Sequence, residues 1–350
     1  MTTPPAVPAY QLYVGIDIAA TTFTAAWLRP TETPSTATTF HQTPAGFAAL
    51  QHQLGATGIV PAATLVVLEA TSSYWVALAV FLHAAGYAVS IMNPAKVHHY
   101  AQSLPRRGKT DPLDAQVLAQ FAAERRPAVW TPPPDVYHEL RQRLVARDGL
   151  LEMRQQAKNQ LHALRQWPVV VPAVEQQLET VIATLDQQIR ALDTAIAEVV
   201  AASAWAASAV RLQSIPGIGL LTAAWILVAT VHFATCPTPE AAVGYAGLNP
   251  LERKSGTSIR GRPSIGHGGN SRLRTALYMA TLSAAQHNPA IRTFYTRLRA
   301  RGKPVKVARC AAARKLLRMA WAVTTKEQGF DPTYVVPGDR NDKAGAGMGA

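Results

Sequence analysis

Asp111 and Asp114 stand three residues apart in Lys109-Thr-Asp-Pro-Leu-Asp-Ala-Gln-Val-Leu-Ala119. At helical spacing such a pair shares one face, with Cβ atoms roughly 5–6 Å apart. Two acids held that close repel unless a cation sits between them. The competing reading is a plain helix start: Asp111 suits an N-cap, Pro112 the first turn and Asp114 the positive end of the helix dipole. Two further acids shift the balance. Asp17 ends the apolar run Gln11 to Asp17, and Glu69 follows the apolar run Thr64-Leu-Val-Val-Leu68. If those runs are neighbouring strands, both acids emerge at one sheet edge, outside the carboxyl ends where open α/β sheets place their chemistry. Four unpaired carboxylates in a partly dry cleft are costly. Two hard divalent cations, roughly 3.5–4 Å apart, would relieve the repulsion and serve phosphoryl transfer.

A second dense stretch is Gly247-Leu-Asn-Pro-Leu-Glu-Arg-Lys-Ser-Gly-Thr-Ser-Ile-Arg-Gly-Arg-Pro263. Ser255 lies in it between basic residues and a glycine. A hydroxyl flanked by Arg253, Lys254, Arg260 and Arg262 could attack a phosphodiester, because the cations would stabilise the developing charge. A flexible phosphate-binding loop with an incidental serine is the alternative, and Thr257 and Ser258 are rival hydroxyls. Upstream, Ser214-Ile-Pro-Gly-Ile-Gly219 links two helices. Gly217 and Gly219 would let backbone amides approach an anion at the following helix start, as in a helix-hairpin-helix.

The elements that must position these groups read in order. Gln11–Asp17, Thr21–Leu28 and Thr38–Gln42 read as strands, Pro44–Leu54 as a helix, Thr64–Leu68 as a strand buried on both faces. Ser73–Ala85 reads as helical and Ala88–Met92 as another buried strand, stopped by Asn93-Pro94. The helix carrying Asp111 and Asp114 runs to about Arg126. This β-β-β-α-β-α-β-α order predicts an α/β domain whose first strands form an antiparallel meander. The proline-rich segment 127–134 is a rigid boundary. A long helix follows from Asp135 to about Gln166, then a second from about Ala173 to Ala201. The second carries apolar residues alternating by four and three: Val174, Leu178, Val181, Leu185, Ile189, Leu192, Ile196 and Val199. That heptad seam could close an antiparallel hairpin within one chain or pair with another subunit.

The formal net charge is +13. Pro250 to Lys326 holds 17 Lys and Arg against one acid, Glu252, so this segment carries +16 and the rest −3. Such polarity points to a polyanion, most often nucleic acid. Arg292, Arg297, Arg299, Arg301, Lys303, Lys306 and Arg309 suit backbone contacts, which set position and affinity rather than sequence. The aromatics beside them, Phe294, Tyr295 and Trp321, read as core. The only cysteines, Cys236 and Cys310, form no metal or disulfide pattern. Met1–Ala9 is proline-rich without an apolar core, and the longest apolar runs are too short to span a bilayer, so we expect an intracellular protein with no membrane partner.

Taken together, Gly15-Ile-Asp17, Glu69-Ala-Thr71 with Tyr74, Asn93-Pro94, Lys109-Thr-Asp-Pro-Leu-Asp-Ala115, Ser214-Ile-Pro-Gly-Ile-Gly219, Ala246-Gly-Leu248, Ser255-Gly-Thr-Ser-Ile-Arg-Gly261 and Leu273-Arg-Thr-Ala-Leu-Tyr-Met-Ala280 resemble the insertion-sequence transposases of the IS110/IS1111 type, from about Tyr13 to Phe330. The resemblance implies a RuvC-like (ribonuclease H) α/β domain over 10–130. It also implies a helical coiled-coil hairpin over 135–202, for oligomerisation or RNA contact, and a mainly α transposase domain over 203–330; by composition, 1–9 and the Gly/Ala-rich 331–350 read as disordered tails. It implies a DEDD tetrad on Asp17, Glu69, Asp111 and Asp114 that binds Mg²⁺, with Mn²⁺ able to substitute, and a nucleophilic serine at Ser255. The expected partners are a noncoding bridge RNA, donor and target DNA, and further copies of the chain, from dimer to tetramer, with each active site shared between subunits. Expected nucleic-acid contacts are Lys109, Gly217, Gly219, Arg253, Lys254, Arg260, Arg262, Arg272, Arg274, Lys303 and Lys306. The expected setting is the prokaryotic cytoplasm, at the nucleoid. The implied reaction is RNA-guided recombination through a covalent phosphoserine and a Holliday junction. The alternative is a RuvC-like, metal-dependent nuclease that uses water. A sugar-kinase-like ATPase is disfavoured, because the loop after Asp17 has Ala19 and Ala20 where its glycine belongs.

Overall fold

Strand β1 (Leu12–Ile18) is apolar at almost every position and buried on both faces, which suits only the middle of a sheet. The computed structural model places it there. It describes residues 10–70, 72–104, 110–251, 254–255, 259–260, 264–266 and 268–332, with backbone alone over 251–264. The chain divides into two compact units at Pro132/Pro133, inside the proline-rich segment.

In the N-terminal unit the sheet order is β3-β2-β1-β4-β5, with β2 at Thr22–Leu28, β3 at Thr38–His41, β4 at Thr64–Glu69 and β5 at Ala88–Met92. Strands β1, β2 and β3 pair antiparallel, and β1–β4 and β4–β5 pair parallel. Side chains alternate between faces along a strand. Leu12, Val14, Ile16, Val66 and Leu68 therefore join one cluster with Leu50 and Leu54 of α1 (Pro44–Gly55) and Leu78 and Leu82 of α2 (Trp75–Ala84). Tyr13, Leu65 and Val67 join the other, with Val97 and Tyr100 of α3 (Pro94–Ser103) and Leu118, Ala119 and Phe121 of α4 (Asp111–Arg125).

Two expectations change. Asn93-Pro94 does end β5, but it also begins α3: the Asn93 side chain accepts from the Ala95 amide, and Pro94 sits in the first turn. The N-cap of α4 is Thr110, not Asp111, because Thr110 keeps the extended conformation while Asp111 is already helical. Asp111 is thus not the capping residue.

In the C-terminal unit, α5 (Asp135–Leu164) and α6 (Pro172–Ala202) pack together as a hairpin within the chain. Arg147 pairs with Asp193, and Arg154 Nη1 meets Asp186 Oδ1 at 2.6 Å. Seven residues forward on one helix match seven backward on the other, which is antiparallel register. Arg165 bridges Glu175 and Glu179 at the turn, at 2.7 and 2.6 Å. The hairpin's root, with Leu140, Leu144, Ile196 and Val200, belongs to the same core as the helices that follow. Toward the turn the seam opens to solvent: Val174 and Val181 are 41% and 47% exposed. Those following helices are α7 (Ala206–Gln213), α8 (Leu220–Thr230), α9 (Pro239–Tyr245), α10 (Ser271–His287), α11 (Pro289–Ala300) and α12 (Val305–Thr325). Helix α8 is buried along nearly its whole length, so its apolarity reflects a core position. Among the described residues no single helix is long and apolar enough to cross a membrane.

Candidate functional site

The acidic site follows from strand alternation. Parallel register pairs Ile16 with Leu68, so one step further along brings Asp17 level with Glu69, at the carboxyl ends of adjacent strands. Asp17 shares parity with Tyr13 and Gly15, and Glu69 with Leu65 and Val67. Both acids therefore belong to the face that α4 covers. Helix α4 begins on that face with Asp111 and Asp114.

What lets α4 lie so close is Gly15. A Cβ there would sit 2.1 Å from the Ala119 amide nitrogen, 2.3 Å from the Ala115 carbonyl oxygen and 2.6 Å from the Leu118 carbonyl carbon. Ala115 and Ala119 are fully buried at this contact. Backbone thus rests on backbone, and the first turn of the helix is delivered to the edge where Asp17 and Glu69 emerge. The sequence reading took Gly15 as part of a strand and missed this role. The available signal was an isolated glycine inside an apolar run, which marks close backbone approach.

Asp17 senses the other three carboxylates. The Asp17 carboxyl is pushed up from the ordinary 3.8 to about 6, first by burial and then by the charges of Asp114, Asp111 and Glu69, while a hydrogen bond from the Ile18 amide pulls the other way. Two strand ends and one helix start have concentrated negative charge where part of the water is excluded. Oxygen-only donors with four formal charges fit a hard divalent cation. As the side chains stand, no group of three or more His, Cys, Asp or Glu among the described residues is gathered to hold an ion.

In the C-terminal unit, Ser255 lies on a small ladder. Strand β6 (Pro250–Leu251) pairs with β9 (Ser264–Ile265), and β7 (Lys254–Ser255) pairs with β8 (Ile259–Arg260), both antiparallel. Lys109, Arg253, Thr257, Ser258 and Arg262 lie outside the described residues, as do residues 1–9 and 333–350 and the side chains of Lys254, Ser255 and Arg260. Of the other basic candidates, Lys303 and Lys306 are exposed. Arg272 Nη1 meets Asp148 Oδ2 at 2.6 Å and lies over the Trp225 ring. Arg274 Nη1 donates to the carbonyls of Ala246 and Gly268. Aromatic rings in this unit carry cations: Arg297 and Lys315 over Phe294, and Arg309 over Tyr278. Trp321 donates to the Cys236 carbonyl at 3.0 Å and packs on the core. Gly217 (φ +102°) meets Ala284 of α10, where a Cβ would come within 2.5 Å, so its conformation serves helix packing; Gly219 faces open space at the start of α8.

Residues 14–166 match the DEDD transposase model of the IS110 type, and residues 209–296 match that of the IS116/IS110/IS902 transposase family. The chain is 33% identical to the pilin gene-inverting protein of Moraxella bovis over 330 residues, 92% of this chain and 98% of that protein.

The chain belongs to the IS110 family of transposases.

The Moraxella lacunata pilin gene-inverting protein is similar at 34% identity over 327 residues, 92% of this chain and 98% of that one. An IS110 insertion-element protein of 43.6 kDa from Streptomyces coelicolor is 35% identical over 155 residues, 44% of this chain and 36% of that one. An IS110-family transposase acts on DNA, and its DEDD domain implies dependence on a divalent metal. The mixed α/β sheet unit followed by a helical C-terminal unit is compatible with that assignment.

Proposed function

We propose that this IS110-family transposase is an RNA-guided recombinase that exchanges donor and target strands through a covalent phosphoserine. The observation that supports the reading is that Asp17, at the strand edge where Glu69 also emerges, feels the charges of Asp114, Asp111 and Glu69 as a raised pKa. On a RuvC-like sheet these four residues would hold divalent ions, with Mg²⁺ the proposed metal. Ions bound there supply Lewis-acid stabilisation of the charge on the transferring phosphate. Ser255 attacks the scissile phosphorus. Its Oγ–P bond forms as the bond to the deoxyribose oxygen breaks, the serine proton leaves and the departing oxygen takes one up. Attack by a sugar hydroxyl of the other duplex reverses these bonds and frees the serine, so a Holliday junction forms without net loss of phosphodiester energy. The basic residues of α10, α11 and α12 hold phosphates, while a noncoding RNA reads donor and target by base pairing. The exposed seam on α6 supports assembly into dimers or tetramers, with the carboxylates of one copy acting on the serine of another. A relative named for gene inversion fits the same chemistry, since inversion is cutting and rejoining within one molecule.

The test is a denaturing gel of protein, its noncoding RNA, Mg²⁺ and labelled donor and target duplexes, comparing wild type with Ser255→Ala. A protease-sensitive protein–DNA band in wild type alone is the expected result. Cleaved DNA without an adduct in both proteins refutes the serine step and leaves hydrolysis by water.

A further inference from the structure

Among the described residues, the two chain segments flanking the ladder that bears Ser255 meet at a neck. Residues 245–249 lead into it, and residues 266 and 268–270 lead out. Gly247 (φ +68°) and Gly269 (φ +85°) take left-handed conformations there, which glycine adopts without strain. The two sides are pressed together. A Cβ on Gly269 would lie 2.5 Å from the Gly247 nitrogen and 2.9 Å from the Tyr245 carbonyl oxygen, and one on Gly247 would lie 2.3 Å from the Gly268 carbonyl oxygen. The Asn270 amide donates to the Tyr245 carbonyl at 2.7 Å, and the Asn270 side-chain amide donates to the Tyr245 hydroxyl at 3.1 Å.

Arg274 closes this neck. From the first turns of α10 its Nη1 donates at 2.9 Å to the Ala246 carbonyl on the entering side and at 3.0 Å to the Gly268 carbonyl on the leaving side. The base it works from is itself fixed, because Arg272 joins α10 to Asp148 of α5 and the Asn270 side chain caps the helix by accepting from the Leu273 amide. One guanidinium nitrogen thus bridges two backbone carbonyls twenty-two residues apart, with the Ser255 ladder between them.

We propose that Arg274 is a positioning residue: it locks the neck of the ladder and so sets where the backbone carrying Ser255 is presented to DNA. The role rests on Ser255 being the nucleophile. It differs from a phosphate contact in what its loss does. Removing Arg274 leaves two carbonyls unbridged and lets the ladder pivot, while the positive surface that grips DNA is otherwise intact.

The experiment compares wild type, Arg274→Ala and the milder Arg274→Gln, full-length with noncoding RNA and Mg²⁺. Three readouts are taken: affinity for a labelled donor-end duplex across salt, the rate of covalent adduct formation at saturating DNA, and backbone hydrogen exchange over residues 250–266. We expect unchanged affinity and salt slope, and an adduct rate about 100-fold lower, the order expected for a misplacement of about 1 Å. Exchange should rise in 250–266 alone, with Arg274→Gln intermediate. A weaker affinity with a salt slope reduced by about one and a normal rate at saturation would make Arg274 a direct phosphate ligand and overturn the proposal. Unchanged rate and exchange would also overturn it. Ser255→Ala run alongside separates the two ideas. If that variant still forms an adduct, the serine reading fails. The neck is then judged by exchange alone, where faster exchange in Arg274→Ala supports the lock and unchanged exchange rejects it.

Discussion

Replacing Gly15 with alanine tests how the acidic site is assembled. The new Cβ would stand 2.1 Å from the Ala119 nitrogen, where ordinary contact begins near 3.4 Å. Opening that gap needs about 1.3 Å of movement, and both atoms in contact are backbone, so no side chain can swing away. Either α4 lifts from the sheet or β1 bows. Since α4 carries Asp111 and Asp114 while β1 carries Asp17, the tetrad is pulled apart by about an ångström in either case. Overpacking of this kind costs about 1–3 kcal/mol, and a misplacement of about 1 Å lowers catalysis on the order of 100-fold. DNA binding by the C-terminal unit should be untouched. The assay is cleavage under saturating Mg²⁺ beside a thermal melt, with Gly55→Ala as control, because a Cβ at Gly55 meets nothing within 4 Å. Gly15→Ala that cleaves within twofold of wild type and melts normally would refute the claim that backbone contact sets the tetrad.

Asp17→Asn should stabilise the metal-free protein while abolishing cleavage. The wild-type carboxyl, raised from 3.8 to about 6, holds a proton more tightly folded than unfolded, so its contribution to stability is present below about pH 4 and lost as pH rises through about 6. Melts with chelator at pH 4.5 and 7.5 should show Asn gaining on Asp only at the higher pH, and Mg²⁺ should narrow the gap. Equal stability of the two proteins at pH 7.5 would contradict the crowding. Binding to DNA should depend steeply on salt: with roughly 6–10 phosphate contacts, affinity falls about 10³–10⁵-fold between 50 and 200 mM, and a flat titration would remove the polyanion reading.

How much of this was legible depends on whether the signal was local. The five strands and the acids at their ends were readable because apolar runs and their terminal residues are adjacent in sequence. That Asp17 and Glu69 lie on neighbouring strands was a condition the sequence reading had to assume, and the β1–β4 pairing meets it. The cap of α4 was misplaced by one residue because Thr110 and Asp111 are both good capping residues, and only backbone angles choose between them. Helix α3 was overlooked although Asn93-Pro94 is a capping signal, since the same dipeptide also stops a strand. Gly15, Gly217 and Gly269 could not be assigned their partners, because Ala119, Ala284 and Gly247 come near only in the folded chain. Arg274 read as one more cation in a basic segment; its two carbonyl acceptors are a tertiary fact.

The α5–α6 hairpin has a further consequence. Its root is fixed in the core, and α5 alone, at 30 residues, runs about 45 Å. A body of that kind is a ruler: whatever grips the solvent-facing seam near the turn is held at a set distance from the core. Removing seven residues from each helix at matching levels would shorten it by about 10 Å and keep the seam on nearly the same face, whereas removing four would shorten it by about 6 Å and rotate the seam by about 40°. Length and facing can therefore be varied separately in one chain.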